Sequence, residues 1–436
     1  MPFARYVDPP GGEKRFKEVN RALAERDATS LRRILKDETT FLKLLDTPTA
    51  AELDGSAAAG PFPILVYSSG LNDTAASGSL LAEYLASHGF VVVSVPQLGS
   101  DYGRFSLGVN PVDMETQIRD LEFAAAVVRE LPFADRDRLA VGGHSMGGVA
   151  ALVYQMRHPE VGAIVGLDAS YGSRDLKSVL TSSAYYRPGR VRVPLLDLRR
   201  ADAQVDLSAI DALDFSDRYF LEFSGVAHAD FTTFPMIAMR FPTDIQGRTP
   251  EAARTAFETT CRYIEHFLDA TLRGGQQGKA FLAERPENNG VPKEVVTLRL
   301  RRGLAPPPTA VDFAQNVERN GLEEARRLLG AWQKRLPGRD IIEEPALNAL
   351  GYDFLARARL RLATDLFRLN ADAHPASANA YDSLAEGYLA QGDRSSAAQA
   401  YEKVLEILAT DKGSGRPEDA LRKNAKDKLR ELKRGR

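Results

Sequence analysis

The sequence predicts an α/β fold, a doubly wound and mostly parallel sheet, joined to a C-terminal all-α repeat domain. Three observations carry this. Between residues 61 and 271, short and nearly all-apolar runs alternate with amphipathic helical stretches, the texture of strands covered on both faces and linked by helical crossovers. From residue 309 to 436 the pattern is helical throughout and repeats at a fixed spacing. The stretch between, 272–308, is rich in Gly, Pro and polar residues and reads as a linker. A chain of 436 residues suits two or three domains at about 150 residues each.

Taken in order, residues 1–60 read as an N-terminal helical segment. Phe16, Val19 and Leu23 share one helical face, and so do Leu31, Ile34 and Leu35, with Ser30 as N-cap of a second helix. Pro61 opens the sheet region. Strands are predicted over 64–68, 91–95, 139–142, 163–167, 195–198 and 219–223. The crossover over 113–130 is helical, with Ile118, Leu121, Ala125 and Val128 on one stripe. In the C-terminal region Leu347, Leu350, Gly351, Phe354, Ala363, Phe367 and Pro375 are followed, each 34 residues later, by Tyr381, Leu384, Ala385, Tyr388, Ala397, Tyr401 and Ala409. This period and its alternation of large and small residues resemble the tetratricopeptide repeat, with Ala409 where that family usually has proline. Two repeats bury little surface alone, so helices over 309–335 and 417–433 are expected to cap the stack.

Composition excludes several classes. Lys and Arg number 57 against 59 Asp and Glu, a formal charge of −2, which argues against nucleic acid as the main partner. A lone Cys261 rules out an internal disulfide and a cysteine-based metal cluster. No window is long and apolar enough to span a bilayer. Residues 1–20 lack the apolar core of a secretory signal, so the sequence as it stands is expected to stay in the cytoplasm.

The sharpest chemical signal is Gly143-His144-Ser145-Met146-Gly147, set between a short strand and a helix. A tight strand-to-helix turn needs small residues at both flanks, and it lifts the serine oxygen clear of the sheet at a helix N-terminus. A serine hydroxyl needs a base to become a nucleophile. Of the six histidines only His228 follows a late strand, where this kind of sheet delivers groups to its carboxyl edge. A carboxylate must then hold the imidazole. Two strand ends offer one: Asp168 after one strand, Asp202 and Asp206 after the next. Asp168 is preferred because it ends an uninterrupted apolar strand. Donors for an oxyanion are expected from the Met146 N–H and from the loop after the first strand, at the Leu71 N–H. Tyr171, Tyr185, Tyr186, Phe231 and Phe234 are candidates to line a substrate pocket, with ordinary packing as the competing role.

On these residues the region 61–268 resembles the α/β-hydrolase superfamily, and within it the platelet-activating-factor acetylhydrolase and dienelactone-hydrolase-like branch. The stretches that carry the likeness are ILVYSSGLNDTAASGSLLAEYLASHGFVVVSV, GGHSMGG, GLDAS and SGVAHADFTTF. The resemblance implies the acid at Asp168, the base at His228 and the oxyanion donor at Leu71. Ser69 departs from the family, where many relatives carry histidine before the glycine. Relatives also begin with extra strands, whereas residues 1–60 offer only ARYV before their helices, so the start is expected to be either truncated or wrongly assigned, and an export signal lying upstream would be lost with it.

The implied function is a serine hydrolase of short-acyl or lipid-like carboxylic esters, with no metal or organic cofactor. The helical repeats over 309–436 are expected to bind a protein partner or a second copy of the chain. The alternative is an inert hydrolase-fold scaffold whose repeats do the work. The tail over 422–436 has eight Lys and Arg against two Asp and Glu and reads as a solvated capping helix.

Overall fold

Strands with apolar side chains on both faces must be buried between two helical layers, and the chain builds that sandwich in its first unit. The computed structural model describes residues 1–3, 5, 17–35, 37–97, 99, 107–202, 206–241, 249–410 and 416–434. They divide into two units, Met1–Leu304 and Ala305–Arg436. The strands are β1 (Phe62–Ser68), β2 (Val91–Val95), β3 (Ala134–His144), β4 (Ala163–Leu167), β5 (Leu195–Arg200), β6 (Arg218–Phe223) and β7 (Val296–Arg301). Their spatial order is β2-β1-β3-β4-β5-β6-β7. The first six are parallel, and β7 runs antiparallel to β6 from Arg218↔Arg301 to Phe223↔Val296. This is the α/β-hydrolase fold.

Alternation along each strand feeds two cores. Ile64 and Val66 of β1, Val141, Ile164, Leu195 and Phe220 pack with α4 (Pro111–Val128), α5 (Met146–Arg157), α6 (Arg174–Ser182) and the short α7 (Ser208–Asp211). Leu65, Tyr67, Val165, Leu196, Leu198 and Leu221 face α3 (Ser79–Ser87) and α9 (Pro250–Leu268). Helix α4 starts where its sequence says it should: the Asn110 side chain accepts from Asp113 N at 3.0 Å and Pro111 sits at the first turn.

Two expectations need correction here. The N-terminal segment is not broken at Ser30. Helix α1 (Lys17–Leu35) runs through it, because residues 24–29 contain no Gly or Pro and the Thr29 hydroxyl bonds back to the Glu25 carbonyl at 2.7 Å. The cap lies later, at Asp37, which accepts from Thr40 N at 2.8 Å and opens α2 (Glu38–Leu45). Phe16, and Ala4, Tyr6 and Val7 of the ARYV phrase, lie outside the described residues, as do the side chains of Val19 and Leu23. Leu31, Leu35, Phe41 and Leu44 pack with Phe3 and Ile237, the latter from α8 (Phe234–Arg240). Nor is 272–308 a plain linker: it holds α10 (Gln276–Ala283) and the strand β7 that closes one edge of the sheet.

The second unit is a stack of helices: α11 (Ala310–Asn320), α12 (Leu322–Arg335), α13 (Glu344–Ala356), α14 (Leu360–Ala373), α15 (Ala378–Ala390), α16 (Arg394–Thr410) and α17 (Arg416–Arg434). Helices α15 and α16 begin 34 residues after α13 and α14 (378 − 344 and 394 − 360). The small positions of the repeat have a packing cause, since a Cβ on Gly351 would strike the Phe367 ring. Ala385, Ala397 and Tyr401 share one core with Leu429 and Leu432 of α17. Among the described residues no helix is long and apolar enough to cross a membrane.

Candidate active site

The predicted serine sits at a bend that only a particular backbone can make. Ser145 lies between β3 and α5 with φ 54° and ψ −122°, a left-handed conformation that side chains other than glycine rarely adopt. Its flanking glycines are required by close approach. A Cβ on Gly143 would come to 2.5 Å of Ser68 O, and one on Gly147 would collide with the same carbonyl. The loop after β1 therefore runs directly under the bend, where a Cβ on Gly70 would stand 3.4 Å from Ser145 Cβ. The next residue is Leu71, 39% exposed. Neither its N–H nor that of Met146, at the first position of α5, has a hydrogen-bond partner among the described residues.

The loop is held from several sides. Ser69, the residue that departs from the resembling family, turns its hydroxyl to Thr74 O at 2.9 Å. Asn72, at φ 58°, accepts from Leu107 N at 2.7 Å and donates to Leu107 O at 3.1 Å. Gln97 and Gln117 both donate to Ser68 Oγ, at 2.8 and 2.7 Å.

Asp168 follows β4 at φ 39° and is nearly buried. The structure brings it to His228, whose Nδ1–H donates to Asp168 Oδ2 at 2.6 Å. The same oxygen accepts from Arg200 Nε at 2.8 Å, and Oδ1 accepts from Arg200 N at 3.2 Å. Burial alone would raise this carboxyl, but hydrogen bonds from His228 and Arg200 outweigh it and hold it below the ordinary carboxylate range. With Nδ1 donating, His228 presents Nε2 as an acceptor, the arrangement that can take a proton from a hydroxyl. The Ser145 hydroxyl itself pairs with Ser170 Oγ at 3.3 Å rather than with His228. Asp202 is exposed, and Asp206 is ion-paired with Lys177 and bonded to Ser208 N, which together hold it well below the ordinary range.

Of the pocket candidates, Tyr171 lines a cavity of about 280 Å³ beside Asp168 and His228. The others have different work. Phe231 is buried edge-on against Phe223, Phe234 packs with the N-terminal helices, Tyr185 lies 3.7 Å beneath the Arg157 guanidinium, and Tyr186 donates to Ala209 O at 3.2 Å. Sequence reasoning missed four contributors: Ser170, Arg200, Asn72 and His144. His144 is buried, its ring 4.4 Å from that of His228, and burial, then the nearby His228, push it down to about 3. It is neutral, and its Nε2–H donates to the His228 carbonyl at 3.0 Å, pinning that loop. Its position inside the bend was the available signal.

Comparison with known proteins adds a partial match. A family model described as Chlorophyllase matches residues 43–191. That stretch holds Leu71, Ser145, Met146 and Asp168 and ends before His228. The protein named Chlorophyllase type 0 from Chenopodium album is 28% identical over 154 residues, 30% of this chain. The chain spans 41% of that relative's length. A solved structure, the ferulic acid esterase from Streptomyces cinnamoneus, is 22% identical with a TM-score of 0.41, covering 57% of this chain and 77% of that one.

Proposed function

We propose that the chain is a serine hydrolase of carboxylic esters. The observation that carries this reading is the 2.6 Å bond between His228 Nδ1 and Asp168 Oδ2, made at the sheet edge where Ser145 rises at its bend. In the proposed cycle the Ser145 hydroxyl leaves Ser170, gives its proton to His228 Nε2 and attacks the acyl carbon. Asp168 stabilises the imidazolium, and the N–H groups of Leu71 and Met146 receive the oxyanion. His228 returns the proton to the leaving alcohol, and a water activated by the same nitrogen then hydrolyses the acyl-enzyme. The match to a chlorophyllase model over 43–191 supports ester hydrolysis as the reaction class. Short-acyl or lipid-like esters are the proposed substrates, following the resemblance to acetylhydrolase and dienelactone-hydrolase-like enzymes. The repeat unit is proposed to bind a protein partner or a second copy.

A fluorophosphonate probe with peptide mapping tests this directly. Label on Ser145, together with loss of p-nitrophenyl acetate turnover in Ser145→Ala, is the expected result. Equal turnover in both proteins, or label elsewhere, overturns it and favours the inert scaffold.

A further inference from the structure

Strand β5 ends in two arginines with different roles. Arg199 is buried and ion-paired with Asp197, and its guanidinium carbon lies 4.6 Å from the Phe220 ring centroid. It belongs to the packing of the strand. Arg200, the next residue, commits its side chain to one group. Its Nε–H donates to Asp168 Oδ2 at 2.8 Å, and its backbone N–H donates to Asp168 Oδ1 at 3.2 Å. Among the described residues the Arg200 guanidinium has no other hydrogen-bond or ion-pair partner.

Asp168 needs an outside hold to aim its oxygens. Its backbone is fixed, at φ 39° with the N–H donated to Leu198 O at 2.6 Å. The torsion that turns a carboxylate about its Cβ–Cγ bond is soft, with broad and nearly two-fold minima, so the rotamer alone leaves the plane free. His228 does not fix that plane from its own side. Its side chain is 42% exposed, it follows β6 on a loop, and its ring has Asp168 as its one hydrogen-bond partner among the described residues. Arg200 reaches both oxygens at once from β5. A grip on both oxygens by one residue selects a single orientation, and a charged donor makes that grip strong. Oδ2 is then turned to His228 Nδ1 at 2.6 Å.

We propose that Arg200 is a positioning residue for ester hydrolysis: by fixing the carboxylate plane of Asp168 it sets the direction of the His228 ring, and with it the aim of Nε2 at the Ser145 hydroxyl. The proposal rests on Ser145, His228 and Asp168 acting as a triad. An arginine that only tied down the end of β5 would affect folding, and its loss would act independently of Asp168.

Turnover of p-nitrophenyl acetate by the full chain separates the two roles. Arg200→Ala is expected to lower kcat by about 10- to 100-fold, the loss that a misplacement of about 1 Å brings, with KM within about 3-fold of the wild type. Arg200 lines the cavity of about 280 Å³ beside His228 and its side chain is 34% exposed, so a small cation can enter the space it leaves. Guanidinium chloride, below the concentration that unfolds the variant, should therefore restore kcat several-fold, and sodium chloride at the same ionic strength should not. In the Asp168→Asn background, where the carboxylate is already gone, Arg200→Ala should change kcat by less than about 3-fold. Wild-type kcat in Arg200→Ala overturns the proposal, as does a loss that recurs in full in the Asp168→Asn background. Full activity in Asp168→Asn is a separate outcome, which removes the triad and the role of Arg200 with it. If the wild type turns over no ester, the hydrolase reading has failed, and proton NMR of the full chain decides the hold. The downfield His228 Nδ1–H signal, absent from Asp168→Asn, is expected to broaden in Arg200→Ala through faster exchange, and an unchanged signal overturns the proposal.

Discussion

Raising the pH through neutrality is expected to loosen α1 from the loop that follows β1. Asp27 of α1 is 8% exposed and accepts a hydrogen bond from the Thr74 hydroxyl. The Thr74 carbonyl in turn holds the hydroxyls of Ser69 and Ser77, each at 2.9 Å, in the loop that carries Leu71. Burial pushes the Asp27 carboxyl from 3.8 up to about 7; Asp73 adds to the rise, while the Thr74 bond and Arg26 oppose it. A carboxyl with a raised value binds its proton more tightly when docked. Docking is therefore strongest below pH 3.8, weakens as pH rises and levels off above about 7. Integrated between those values, the full loss is at most about 4 kcal/mol, of which about 2–3 kcal/mol falls between pH 5 and pH 8, or roughly 50- to 100-fold in the docking equilibrium. Hydrogen exchange of a peptide covering 24–35, corrected for intrinsic rates, reads that equilibrium. The wild type should lose protection by that factor from pH 5 to pH 8. Asp27→Asn, which keeps an acceptor for Thr74 but does not titrate, should stay nearly flat and be the better protected protein at pH 8. Protection that rises with pH, or an equal fall in both proteins, refutes the reasoning.

Two further outcomes follow from the same geometry. Asp168→Asn places an amide against an imidazole that must donate from Nδ1, and should lower kcat on p-nitrophenyl acetate by about 10³- to 10⁴-fold, whereas Asp202→Asn, at an exposed position, should leave it within about 3-fold. A chain ended at Leu304 keeps β7 and should retain esterase activity and a sharp thermal transition; one ended near residue 275 bares the edge of β6 over Arg218–Phe223 and should aggregate on size-exclusion chromatography.

The difference between those two truncations shows which parts of the fold were legible. Strands β1 to β6 announce themselves because packing between two helical layers calls for mostly apolar runs, and residues 163–167 and 91–95 match the strands to the residue. β7 was not read, because an antiparallel edge strand needs only one apolar face. Val296-Thr-Leu-Arg-Leu-Arg alternates, and its neighbours are the Pro- and Gly-rich residues that mark loops. The site divides along the same line. Ser145 was legible because the collision of any larger side chain with the loop after β1 forces glycines on both flanks, a local signature. Asp168 and His228 were legible as polar residues at strand ends, and their 2.6 Å contact bears on the choice between Asp168 and Asp202 that spacing alone left open. Arg200, Ser170, His144 and the Asp197–Arg199 pair carry no local mark. Asp-Leu-Arg within a strand looks like polar fraying until the fold shows the pair buried against Tyr171 and Phe220. Groups required by the path of their own backbone can be found by reading along the chain. Groups required by what they face can be found only after the fold has set the facing pairs, and in this protein the second kind surrounds the first.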